Sequence, residues 1–107
     1  MEGKTNSGFA AETYHGQMTF DFDQISKESG GLAGNLPGTM VHESVHALNW
    51  GGQLYNGTLA AERIAFDMQV NFNQTLIQDA MIRGIPIAFP ELRTRVTDEE
   101  ICRMYHC

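Results

Sequence analysis

The chain has 107 residues, the size of one domain with a modest core. Its 42% hydrophobic and 19% charged residues are typical of a soluble globular protein and exclude a disordered one. The net charge of −6, with only seven Lys and Arg, argues against binding to nucleic acid or anionic membranes. No apolar run has the length needed to span a bilayer, so membrane insertion is not expected.

Residues 1–13 are polar and rich in glycine, and we expect a flexible arm or linker there. A single domain is expected over residues 14–107. The first eight residues contain no apolar segment, so no signal peptide is predicted. The localisation is therefore open, and a domain acting outside the cell would need a specialised secretion route.

Residues 18–23 alternate strictly between apolar and polar side chains, which predicts a half-buried strand. Residues 14–17 either extend this strand or form a partner strand across Gly16. An edge strand beside a metal site can pair with an extended peptide, so residues 18–23 are a candidate substrate edge. An edge with no such role fits the pattern equally well.

Residues 30–38 contain four glycines and a proline, which predicts a loop. Thr39 is then the predicted N-cap of a helix of about three turns, and Gly51-Gly52 is expected to end it. Four apolar side chains are expected to supply the buried contacts of this helix: Met40, Val41, Val45 and Leu48.

The same helix contains the motif His42-Glu43-Ser44-Val45-His46. The two histidines lie one helical turn apart, so both imidazoles can reach one metal ion. Glu43 lies about 100° round the helix from His42, where it can touch a metal-bound water without binding the metal. Two nitrogen ligands and a carboxylate base are typical of zinc hydrolases, and Zn²⁺ is the expected cofactor. In such a site Glu43 takes a proton from the attacking water and passes it to the leaving amine.

Thr58 is the predicted N-cap of the longest helix, which runs to about Ile82, with Gly84 as its C-terminal stop. Glu62 follows His46 by sixteen residues and is the candidate third ligand. The alternative is that Glu62 only favours the positive end of its own helix. Asp67 is the next candidate, as a ligand or as an acceptor for a histidine N–H. One apolar stripe is expected along this helix: Ala61, Ala65, Met68, Phe72, Leu76 and Ala80.

Residues 84–96 are expected to form an extended loop that covers an apolar surface. Thr97 and Glu100 match a capping box before a short helix over residues 98–105, which would bury Ile101, Met104 and also Tyr105. The predicted fold class is α+β. A small antiparallel strand element would pack on the motif helix and on the longer helix with Glu62.

The motif, followed by a helical Glu62, resembles the zincin metallopeptidases and specifically their glutamate-ligand (gluzincin-like) branch. The resemblance covers residues 14–82 and is specific only at the motif. It implies a minimal zincin-like domain, with His42, His46 and Glu62 as metal ligands and Glu43 as the catalytic base. The small size, the glycine-rich arm and the missing export signal also resemble the terminal zincin modules of bacterial toxins and secretion-system effectors.

The resemblance implies a protein or peptide substrate. It also leaves open that the chain is part of a larger polypeptide or is paired with an inhibitor protein. The net charge of −6 favours a basic substrate or a cationic partner. Four side chains are candidates for a further donor to the oxyanion: His15, Tyr55, Tyr105 and His106.

A competing interpretation uses the same histidines in a closed structural site. His42 and His46 could bind zinc together with Cys102 and Cys107, as in Cys2His2 sites, and the protein would then be a non-catalytic binding module. The two cysteines could instead form a disulfide or remain free thiols. A third interpretation is a former protease that binds peptide or metal without turnover.

Overall fold

The computed structural model describes residues 10–48 and 58–105. Within these ranges the chain is α+β, as predicted, with a two-stranded antiparallel hairpin followed by four helices. The hairpin packs on the motif helix, which in turn packs on the long helix with Glu62. None of the helices in these two ranges is both long enough and apolar enough to cross a bilayer.

The hairpin consists of β1, Ala11–Tyr14, and β2, Gln17–Phe20. His15 and Gly16 form a two-residue turn, with φ angles of 51° and 78°. Positive φ at both positions matches the twist of a tight hairpin, and glycine adopts it without steric cost. Tyr14 ends β1 and Gln17 begins β2, so the alternative of a partner strand across Gly16 is confirmed. β1 begins within the segment that was expected to be an arm.

The predicted strand over residues 18–23 is correct only in its first half. Asp21 is the N-cap of α1, Phe22–Ser26, and its Oδ1 accepts a hydrogen bond of 3.2 Å from the backbone N–H of Gln24. A capping carboxylate satisfies an amide that a strand would leave unpaired, so the chain turns into a helix despite the alternating pattern.

The motif helix, α2, extends over Gly31–Leu48 and is much longer than predicted. The predicted loop over residues 30–38 and the predicted N-cap at Thr39 are therefore wrong. Gly34 and Gly38 are one turn apart on the same face of α2, where neighbouring segments approach closely. An added Cβ at Gly34 would lie 3.0 Å from the carbonyl oxygen of Ala88, and one at Gly38 would overlap the side chain of Asn73. The glycines provide room for packing rather than a loop.

The buried face of α2 is polar, and the expected burial of Met40 and Leu48 is wrong, whereas Val41 and Val45 are half-buried. His42, Glu43 and His46 are each no more than 5% exposed, whereas Met40 is 46% and Leu48 88% exposed. The motif thus faces the interior. A buried group of polar side chains is costly unless its members bind one another or a ligand.

The long helix, α3, spans Leu59–Arg83, as predicted. The Thr58 hydroxyl accepts from the backbone N–H of Ala61, and Gly84 ends the helix in the left-handed conformation. The expected apolar stripe is correct only in part, because Met68 is 50% exposed. α3 packs against two helices and therefore buries a wider face than one stripe. That face also contains five residues outside the predicted stripe: Glu62, Phe66, Gln69, Val70 and Asn73.

The short C-terminal helix, α4, spans Asp98–Tyr105 and begins with the predicted capping box. The Glu100 carboxylate accepts from the Thr97 backbone N–H at 3.0 Å, and the Thr97 hydroxyl accepts from that of Glu100 at 3.2 Å. Residues 84–96 contain no helix or strand. The main apolar cluster lies between α3, this segment and α4 and consists of Phe66, Val70, Val96 and Ile101.

Candidate metal centre

Three side chains of ligand type converge between α2 and α3. Nε2 of His42 lies 3.0 Å from Oε1 of Glu62, and Nε2 of His46 lies 3.0 Å from Oε2 of the same carboxylate. The potential ligand atoms all lie within 4.8 Å of one another, and the three residues are only 2–4% exposed. The structure therefore brings together the three residues that the sequence nominated as ligands.

The electrostatics of this group depend on Glu62. Burial by itself raises the pKa of a carboxyl group, but the hydrogen bonds from His42 and His46 outweigh it and lower the pKa of Glu62 to about 2. The buried carboxylate is thus ionised over the physiological range. Buried carboxylates in proteins are paired with a cation or hydrogen-bond donors, or they coordinate a metal ion.

The donor set fits a metal ion such as zinc. Two imidazole nitrogens and one carboxylate oxygen are a common three-ligand set, which leaves a fourth tetrahedral position open. Donors that bind one zinc ion at about 2.1 Å in tetrahedral geometry are separated by about 3.4 Å. Each histidine nitrogen is 3.0 Å from its Glu62 oxygen. Each of these two His–Glu62 pairs would have to separate by a few tenths of an ångström. A buried His/His/Glu group of this kind can bind a metal ion.

Gln69 orients the first histidine. Its Oε1 lies 2.9 Å from Nδ1 of His42. An amide oxygen can only accept, so Nδ1 donates to it, and Nε2, the nitrogen that faces Glu62, is the one that would bind a metal in place of its hydrogen bond. The ring of Phe66 contacts His42 edge-on, with centroids 4.4 Å apart, and limits its rotation. Partners of this kind fix ligand orientation in metal sites.

Asp67, the predicted alternative ligand or acceptor, does not belong to the site. Its carboxylate accepts from the Arg63 guanidinium at 2.8 Å, and its side chain is 44% exposed. The cluster of candidate metal ligands in the described residues does not include it. Gln69, two positions further along α3, lies on the buried face and supplies the acceptor instead. A neutral amide in a helix has no distinctive sequence pattern, so Gln69 was not predicted.

Glu43 is buried beside the ligands without joining them. It is 5% exposed, and its Oε2 lies 3.9 Å from Nε2 of His42. Its other oxygen, Oε1, accepts a hydrogen bond of 2.7 Å from the hydroxyl of Thr13 in β1. Glu43 therefore lies next to the candidate ligand cluster but is not one of its members. Thr13 was not predicted, because it lay in the segment expected to be an arm.

A cleft of about 310 Å³ opens beside the cluster and is lined by both His42 and Glu43. Tyr105 of α4 also lines it and donates a hydrogen bond to Glu62. Burial and the Glu62 carboxylate raise the pKa of Tyr105 above its usual range, so the phenol keeps its proton. Of the two predicted oxyanion donors that lie in the described residues, His15 and Tyr105, Tyr105 is the one that lines this cleft.

The other three candidates have different outcomes. His15 lies exposed in the hairpin turn, where its ring stacks on Tyr14. Tyr55 and His106 lie outside the described residues, as do the predicted helix stop at Gly51-Gly52 and the cysteine at position 107.

Cys102 is disulfide-bonded, so it presents no thiolate to a metal. The alternative Cys2His2 site requires such a thiolate, and it gains no support from the part of the chain that the structure describes.

Comparison of the chain with protein-family models, with curated proteins and with solved structures finds no match.

Proposed function

We propose that the protein is a zinc-dependent peptidase of the zincin type, with a glutamate as its third ligand. One observation carries this proposal. His42, His46 and Glu62 converge in a buried cluster. Oε2 of Glu43 lies beside this cluster, 3.9 Å from Nε2 of His42. A purely structural metal site has no use for the second carboxylate, whereas hydrolysis requires a base beside the metal.

In this proposal His42, His46 and Glu62 hold the metal. Bound zinc supplies a Lewis acid that activates water at neutral pH and stabilises negative charge on the substrate carbonyl. Glu43 accepts the proton of the attacking water and donates it to the leaving amine. The Tyr105 hydroxyl lines the cleft beside Glu43 and is the proposed further donor to the oxyanion.

The shape and charge of the cleft suggest the substrate class. Ala11, the first residue of β1, and the preceding Ala10 line the cleft together with Glu43. β1 therefore takes the place of residues 18–23 as the proposed edge for an extended peptide. Glu91 and Glu100 also line the cleft, and negative charge in a cleft attracts cations, so a basic peptide is the proposed substrate. A role as a toxin or effector module stays a prediction.

Metal analysis tests the ligand set. The purified protein is expected to bind one zinc ion per chain, and Glu62→Ala to lose it. Asp67→Ala is the matched control, because it removes a carboxylate from the same helix five residues away, and it should retain zinc. Circular dichroism of both variants shows that the helices persist. Full zinc binding by Glu62→Ala would contradict the ligand assignment.

Activity tests separate catalysis from binding. Glu43→Gln keeps the size of the side chain but removes the base, so zinc should stay bound while hydrolysis of a peptide library rich in Lys and Arg is lost. Glu99→Gln makes the same change at an exposed position of α4 and should leave activity intact. Hydrolysis by Glu43→Gln at the rate of the unmodified protein would exclude the mechanism.

The structural-site alternative is tested with the cysteines. Replacing Cys102 and Cys107 together by serine should leave the zinc content unchanged. Loss of zinc in that variant would favour the Cys2His2 module over the peptidase.

A further inference from the structure

The carboxylate of Glu43 is held from the side of the hairpin. The Thr13 hydroxyl donates to Oε1 of Glu43 at 2.7 Å and also lies 3.2 Å from its backbone oxygen. The shorter distance identifies the carboxylate as the main acceptor. The other carboxylate oxygen, Oε2, is the one that lies near Nε2 of His42. Each oxygen therefore has a separate neighbour, one on the strand and one at the ligand cluster.

We propose that Thr13 is the positioning residue for Glu43. It fixes the carboxylate so that Oε2 faces the metal ligands, and its catalytic consequence rests on the proposed function. A glutamate side chain has three rotatable bonds, and it loses much rotational freedom when it is held in one conformation. A hydrogen bond from a neutral hydroxyl to a carboxylate is short and directional and can select that conformation.

The packing of the hairpin on α2 holds the Thr13 hydroxyl in place for its hydrogen bond to Glu43. Thr13 stands opposite Met18 in the hairpin, and directly opposite residues of an antiparallel pair project from the same face. Thr13 contacts Glu43, while the Met18 sulfur lies 3.9 Å from the Ser44 hydroxyl. One cross-strand pair thus touches two consecutive residues of α2. The strand is placed by two contacts, and the threonine hydroxyl is placed with it.

Three variants isolate the hydroxyl. Thr13→Val keeps the shape and β-branching of threonine but removes the donor. Thr13→Ser keeps the donor and removes only a methyl group. Thr19→Val is the matched control, because it makes the same change on β2, opposite Glu12, and leaves the bond to Glu43 untouched.

The first measurement uses metal-free protein and does not depend on activity. Urea unfolding of Thr13→Val, Glu43→Ala and the double variant gives the coupling between the two side chains. The expected coupling is about tenfold in the unfolding equilibrium constant, which is the size of one hydrogen bond to a charged group. Thr19→Val should show no coupling with Glu43→Ala. Additive effects of Thr13→Val and Glu43→Ala would overturn the proposal.

The second measurement uses zinc-loaded protein. Thr13→Val is expected to lower kcat by about 10- to 100-fold, because a displaced base is misaligned with the reacting atoms. Its KM and zinc content should stay unchanged, and Thr13→Ser should recover most of kcat. Unchanged kcat in Thr13→Val would overturn the proposal, and so would loss of zinc, which indicates a general structural role.

The two hypotheses fail in different ways. If the unmodified zinc-loaded protein hydrolyses no peptide, the proposed function fails, and the coupling in metal-free protein still decides whether Thr13 holds Glu43. If hydrolysis is observed and coupling is absent, only the role of Thr13 is excluded.

Discussion

A single methyl group at Gly38 should disturb both the stability of the protein and its candidate metal site. α2 and α3 run antiparallel, so Gly38 faces Asn73, one turn away from the contact of His42 with Gln69. The next turn brings His46 to Glu62. The close approach of the two helices at Gly38 therefore sets the spacing of the ligands further along the same interface.

The size of the effect follows from the contacts. A Cβ on Gly38 would overlap Oδ1 of Asn73 and lie 3.1 Å from its Cγ. Asn73 is 1% exposed and donates to the Leu92 carbonyl at 2.8 Å, so it has little room to move. Overpacking costs about 1–3 kcal/mol and a lost hydrogen bond about 1 kcal/mol. The higher helix propensity of alanine relative to glycine offsets about 1 kcal/mol of this loss. We expect Gly38→Ala to lower the free energy of unfolding by about 1–3 kcal/mol.

Urea unfolding of metal-free Gly38→Ala measures this loss, and competition with a chelator measures zinc affinity, which should also weaken. Asn73→Ala removes the obstructing side chain, so adding Gly38→Ala to it should cost little more. Replacing an ordinary glycine inside a helix by alanine raises the free energy of unfolding of the protein by about 1 kcal/mol. A stabilised Gly38→Ala protein would therefore refute the close-packing argument.

Two further predictions concern side chains around the cleft. Gln69→Leu removes the acceptor for the His42 N–H, so zinc affinity should fall by about 10- to 100-fold in chelator competition while one zinc ion still binds at saturation. Gln78→Leu, at an exposed position of the same helix, should leave that affinity unchanged. Burial and the neighbouring Glu91 carboxylate raise the pKa of Glu28 from 4.5 to about 7, so the folded state is penalised once this group ionises. The penalty is absent below pH 4.5 and complete above pH 7. Glu28→Gln removes the ionisable group, so urea unfolding should show that it stabilises the protein by about 1–2 kcal/mol at pH 8 and by much less at pH 4. Equal effects at both pH values would contradict the raised pKa.

Much of the local structure follows from the sequence alone. The cap at Thr58, the stop at Gly84 and the capping box at Thr97 depend on hydrogen bonds between residues at most four or five positions apart. Such bonds form wherever the right residue types stand at the right spacing. The spacing of His42 and His46 likewise places two ligands on one helix face, whatever surrounds the helix. The His-Glu-x-x-His motif and the helical Glu62 were therefore readable in advance.

Only the tertiary structure decided what these elements contact. The glycines of α2 resemble a loop in the sequence, and the backbone of Ala88 and the side chain of Asn73 explain why a helix needs them. Thr13 and Gln69 reach the site across 30 and 27 positions of the chain. No short-range pattern encodes such contacts, because they exist only after distant segments pack together. The sequence determines the chemical groups of the candidate site, and the packing of the hairpin and three helices determines how those groups are oriented.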